Sequence, residues 1–152
     1  MDAVRLILAS RRALAGSGDG PRTLAEVWQA QALAQAIGSR LAVSGPPELR
    51  GEALGLTELA GRGCGVLDAP VLDPGDLRAA QLTELDDARQ ALLDLGGLLG
   101  EVGIALVGLA SAADEVTYWQ CMEAIDAADE ARDRVLEMLR KLAAREGALP
   151  ER

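Results

Sequence analysis

The stretch LDDARQALLDLGGLLGEVGIALVGL, residues 85–109, decides the fold. Its apolar positions Leu85, Ala88, Leu92, Leu95, Leu99, Val102, Leu106 and Leu109 alternate spacings of three and four without a break. That period keeps one side of an α-helix apolar and conflicts with the two-residue period of a strand. The pattern resumes after a short interruption near Ala113, as Tyr118, Cys121, Ile125, Ala128, Arg132, Val135, Leu139 and Leu142. Matched seams joined by a tight turn predict a long antiparallel helical hairpin, about residues 74–112 and 114–146. Asp73-Pro74-Gly75-Asp76 supplies the start of the first arm: an N-cap, a proline at the first helical position and an acid in the first turn.

Outward from the hairpin, the chain reads as three shorter N-terminal helices. The first spans Asp2 to Ala15, with Val4, Ile7, Leu8 and Leu14 on one side, and ends at the glycine-rich run Gly16 to Pro21. Thr23-Leu24-Ala25-Glu26 has the form of a capping box for a second helix reaching Val43. Ser44-Gly45-Pro46-Pro47 breaks the chain, and a third helix runs from Pro47 to Arg62. These helices are expected to cover the hairpin's other apolar side, marked by Leu93, Ile104, Val107, Met122, Leu136 and Met138. The expectation is an all-α four- or five-helix bundle forming one domain over residues 1–152.

Composition agrees with helices. Aromatic residues make up 2% of the chain and phenylalanine is missing, so Leu, Ala, Val and Ile must fill the core. A net charge of −9 repels phosphate backbones and anionic headgroups, which argues against nucleic acid and membrane surfaces as partners. Leu95 to Ala113 is apolar, but its glycines and Glu101 favour a buried helix over a membrane span. Cys64 and Cys121 lack any CxxC spacing, and the opening residues do not resemble a secretory leader, so reduced thiols in a cytoplasm are expected.

The chain contains no histidine. That removes Ser-His-Asp and Cys-His nucleophilic sites, HExxH zinc sites and Glu-x-x-His di-iron bundles. No catalytic residue, metal ligand set or cofactor follows from the remaining motifs. Carboxylates are the residual option. Folding the hairpin about Ala113 lets Glu101 approach Glu123 and Asp126, a grouping that would suit Mg²⁺. Cys64, between two glycines, reads as an exposed loop thiol, reactive only with a base nearby. Gly96, Gly97, Gly100 and Gly103 read as the close approach of a neighbouring helix, of this chain or, alternatively, of a second copy. Arg132 falls opposite Leu95, beside Asp94, as a candidate buried ion pair; the alternative turns Ala131 inward and Arg132 to water. Trp28, Gln31 and Gln35 on the second helix, with Tyr118 and Trp119 on the last, form the candidate interaction surface, because aromatics concentrate at binding hot spots.

At WQAQALAQAI (28–37), SGPPELRG (44–51) and YWQCMEAID (118–126) the chain resembles a small family from GC-rich actinomycete bacteria, over nearly its whole length. That family has no assigned activity, so the resemblance implies an intracellular bacterial setting and no site residue. The sequence therefore reads as a non-enzymatic cytoplasmic interaction or regulatory protein with an unidentified protein partner, expected to form a homodimer. The alternatives are a Mg²⁺-dependent hydrolase with a helix-borne carboxylate cluster and a small-molecule sensor.

Overall fold

In the computed structural model, which describes residues 1–147, the Asp2 carboxylate accepts the amide of Val4 and starts α1, Ala3–Ala15. Gly18, at φ +76°, turns the chain, a conformation that L side chains rarely adopt. Asp19 caps α2, Gly20–Ser44, by accepting the amide of Arg22, and Pro21 fits the first turn. The cap is thus Asp19 and not Thr23. Thr23 donates its hydroxyl to the Asp19 carbonyl, and Glu26, the other half of the expected capping box, is engaged by Arg78. A 3₁₀ turn at Pro47–Leu49 leads into α3, Arg50–Gly65. Asp87 caps α4, Ala88–Ala110, and Asp114 accepts the amide of Thr117 at the start of α5, Glu115–Gly147.

The first arm of the hairpin is therefore shorter than the expected 74–112. Asp73-Pro74-Gly75-Asp76 opens only a single 3₁₀ turn, followed by another at Arg78–Gln81. Tertiary partners hold this segment out of the helix. Gln29 donates to the Asp76 carbonyl (2.8 Å) and accepts the Arg78 amide (3.0 Å). The N-terminal ammonium binds Gln81 and Thr83, and the Ala3 amide binds the Glu84 carbonyl. The N-terminal helices are not all shorter than the hairpin arms either: α2 has 25 residues and α4 has 23.

α4 packs chiefly on α5, α2 on α3, and α3 on α5, while α1 lies against α4 and α2. α1 runs in the same direction as α4: Ala3 meets Glu84, Arg11 meets Glu101, and Gly20 approaches Leu109. The closest helix approach is at Gly38 of α2, where an added Cβ would lie 2.9 Å from the Ala53 carbonyl oxygen of α3. One continuous core joins all five helices, with Leu6, Leu33, Ile37, Leu56, Leu95, Leu99, Leu106 and Val135 fully or almost fully buried. Among the described residues, α4 alone is long and apolar enough to cross a membrane, and 44% of its most apolar window is buried within the bundle.

The hairpin register departs from a fold about Ala113. Val135 opposes Gly96, Arg132 opposes Gly100 and Asp129 opposes Gly103, a shift of about one helical turn. The first turn of α5 consequently overshoots the end of α4. α5 is also rotated: Ala124, Ala127, Ala128 and Ala131 are buried, whereas Arg132 is exposed. The small alanine face allows α5 to lie close to both α3 and α4.

Candidate interaction surface

α1 and α5 flank α4 but leave its outer face open. Leu93 is 50% exposed, Ile104 76% and Val107 57%. These residues were expected under the N-terminal helices; those helices instead pack on α4 from the side and behind, and on α5 through α3. Leu136 is likewise at the surface, Met122 is half-buried and Met138 is buried. The periodicity of α4 identifies apolar rows without specifying which row a neighbour covers.

Between α4 and α5 this face sinks into an open trough of about 580 Å³. Gly96, Gly100 and Gly103 form its floor, Ile104 and Val107 its apolar end, and Ile125, Asp129 and Arg132 its α5 wall. The glycines do not admit another helix of the same chain. An added Cβ at Gly97 would lie 2.7 Å from the Arg11 guanidinium, and one at Gly100 would lie 3.6 Å from Arg132 Nε. Side chains of α1 and α5 therefore use the space that backbone contact was expected to fill.

Arg11 of α1 lies against Gly97. Its guanidinium donates to both Glu101 oxygens, at 2.9 and 3.1 Å, and lies 3.9 Å from Asp94. The fork geometry of a bidentate pair holds Arg11 charged and raises its pKa, chiefly through the Glu101 hydrogen bond. Glu101 is thereby committed to α1. With the register shift, Glu123 and Asp126 are exposed on α5 away from it, so the expected carboxylate cluster does not form. No group of three His, Cys, Asp or Glu residues suited to a metal ion occurs among the described residues.

The Arg132–Asp94 pair is absent for the same reason. Arg132 Nε donates to the Gly96 carbonyl at 3.3 Å, while Asp94 is shared by Arg11 and Gln90. Around the face, Arg11 and Arg132 offset two of the three acids Asp94, Glu101 and Asp129, on a protein of net charge −9.

The residues proposed as an aromatic–glutamine surface do not converge. Gln31 and Gln35 point at Gly63 and Gly61 of α3, and Gln31 is buried. Trp28 is half-buried, with its carbonyl accepting the Cys64 thiol at 3.6 Å. Tyr118 and Trp119 pack edge to face, ring centroids 5.2 Å apart, on the exposed first turns of α5. Cys64 itself lies in the last turn of α3 and not in a loop, and desolvation raises its pKa to about 11. It is a suppressed nucleophile, because the thiolate is the reactive form.

Two other concavities are less suited to a partner. A wide groove of about 930 Å³ between α3 and α5 is crossed by the exposed pairs Arg62–Glu130 and Arg134–Glu52. A cavity of about 220 Å³ lies among Leu24, Leu67, Pro70, Thr117 and Cys121. The sequence gives no sign that Arg11 and Asp129 meet at the α4 face. Only their distance from α4 in space, and not in sequence, identifies them.

The model of the Family of unknown function (DUF6099) matches residues 1–141. No curated protein and no solved structure matches the chain.

Proposed function

We propose that this chain, which belongs to the Family of unknown function (DUF6099), is a helical interaction or regulatory protein that docks through the open face of α4. The observation that carries the reading is the run Leu93, Ile104 and Val107, half-exposed or more beside a trough floored by glycine. Isolated surface leucines need no explanation, but large exposed apolar side chains at the edge of a shaped recess mark a binding surface. Commitment of Glu101 to Arg11 counts against the hydrolase alternative. We place the protein in a bacterial cytoplasm, in keeping with its reduced, non-CxxC cysteines.

The test compares wild-type protein with Ile104→Glu/Val107→Glu in the native host, by cross-linking followed by mass determination of the complexes. Both side chains are exposed, so the variant is expected to keep its helicity while losing its specific complexes. Retention of every complex would overturn the reading. So would turnover of a nucleotide or metabolite by purified protein that disappears on Glu101→Gln.

A further inference from the structure

We infer that the open face of α4 is covered by a second copy of this chain, packed antiparallel about a twofold axis at Gly100. The inference rests on the docking role proposed above and names its partner. The face reads nearly alike in both directions from Gly100: Leu93, Gly96 and Gly97 precede it, and Gly103, Ile104 and Val107 follow. An antiparallel copy centred there sets Leu93 against Val107 of the second copy and crosses Gly100 over its own equivalent. Ile104 of each copy then enters the other's trough beside Gly96. At the crossing the Arg11 and Arg132 side chains lie over Gly97 and Gly100, and the large apolar side chains fill the ends.

The charges satisfy the same geometry. A twofold axis of this kind places α5 of one copy beside α5 of the other. Asp129 stands level with Gly103, and Arg132 reaches from Gly100 to the Gly96 carbonyl. Antiparallel pairing about Gly100 brings the level of Gly103 to that of Gly97, so Asp129 of each copy meets Arg132 of the other. Neither residue has an ion-pair partner of its own among the described residues. The pairing occurs twice, as an isologous interface requires.

The size is adequate. A helix of 23 residues is about 35 Å long, longer than the side of a square patch of the roughly 800 Å² per partner that a standard interface buries. The near balance of charge at the contact matters for a chain of net charge −9, because like charges beyond about 8 Å are largely screened at physiological salt.

Sedimentation equilibrium on the full chain tests the proposal. Wild-type protein at tens of micromolar is expected to have the mass of two chains. Asp129→Arg and Arg132→Asp should each weaken association by about tenfold, since each replaces two attractions with two repulsions. An equimolar mixture of the two variants restores both opposite-charge contacts and should recover association, as should the double reversal in one chain. Circular dichroism confirms that the exposed substitutions leave the fold intact. A wild-type mass of one chain would overturn the proposal. Charge reversals without effect, or losses that neither mixing nor the double reversal recovers, would also overturn it. A monomer that still forms host complexes sensitive to Ile104→Glu would refute the second copy while leaving the docking role standing; insensitivity of both readouts refutes both.

Discussion

Gln31 of α2 has a side chain that the fold does not use. The residue is 1% exposed, and neither Nε2 nor Oε1 has a hydrogen-bond partner among the described residues. Gly63 of α3 faces it so closely that an added Cβ would lie 2.7 Å from Nε2. A primary amide desolvated without a partner costs about 1–3 kcal/mol. Gln31→Met keeps the chain length and removes both polar atoms, so a net gain of about 1–2 kcal/mol is expected once imperfect packing is allowed for. For a chain of this size that gain raises Tm by about 2–8 °C. Gln29, two positions earlier and 3% exposed, provides the internal control. Both of its amide atoms are engaged, so Gln29→Met leaves the Asp76 carbonyl and the Arg78 amide unpaired and should cost about 1–3 kcal/mol. Urea denaturation followed by circular dichroism reads both variants as shifts in midpoint at constant slope. A loss of stability in Gln31→Met comparable to that in Gln29→Met would refute the reasoning and show that Gln31 is fully hydrogen-bonded in solution.

The cysteines and the start of α5 give two more expectations. Cys64, whose pKa burial raises to about 11, should react with a disulfide reagent at neutral pH far more slowly than a model thiol, and unfolding should abolish the difference. The Asp114 carboxylate is held below its ordinary pKa, first by the backbone amide of Thr117 and then by its side chain. A depressed folded-state pKa contributes stability above the unfolded value of about 3.9, lost as pH falls through the folded value. Helicity of the first turn of α5, followed by amide exchange at Thr117, should therefore weaken with acid below about pH 4, and Asp114→Ala should remove that dependence.

The hairpin is legible in the sequence because Leu92, Leu95, Leu99, Val102 and Leu106 form one unambiguous row, and all are buried. α5 is less legible. Its two candidate rows differ by one position, and a face of Ala124, Ala127, Ala128 and Ala131 carries too little hydrophobic contrast to fix rotation. Local signals also misplace the start of α4: Asp73-Pro74-Gly75-Asp76 has the residues of a helix N-terminus, but Gln29 binds the Asp76 carbonyl from 47 positions away, and the N-terminal ammonium holds Gln81 from 80. Tertiary hydrogen bonds override propensity there. Gly38, the residue at the tightest helix contact, lies within an ordinary helical run and gives no local sign of its role. Of the candidate sites, the glycine stripe is visible in the sequence, whereas the residues of the aromatic–glutamine group are spread, Gln31 and Gln35 turning to α3 while Tyr118 and Trp119 lie exposed on α5.

The placement of the open face on α4 also has an energetic logic. Gly96, Gly97, Gly100, Gly103 and Gly108 each cost about 1 kcal/mol of helix propensity relative to alanine, so α4 is a poor helix in isolation. Its order depends on packing, and the inner row supplies that through α1, α2 and α5. The outer row contributes nothing to the single chain, since Ile104 and Val107 remain largely in water. Any partner that covers it stabilises the folded state by mass action, because only the folded helix presents the row. Glycine at the trough floor thus serves two ends that pull together: it leaves room for Arg11 and Arg132 to lie against α4, and it makes the helix a better recipient of a partner's contact than an alanine-rich helix would be. On this view a partner adds, by mass action, to the stability of an α4 that the bundle already orders.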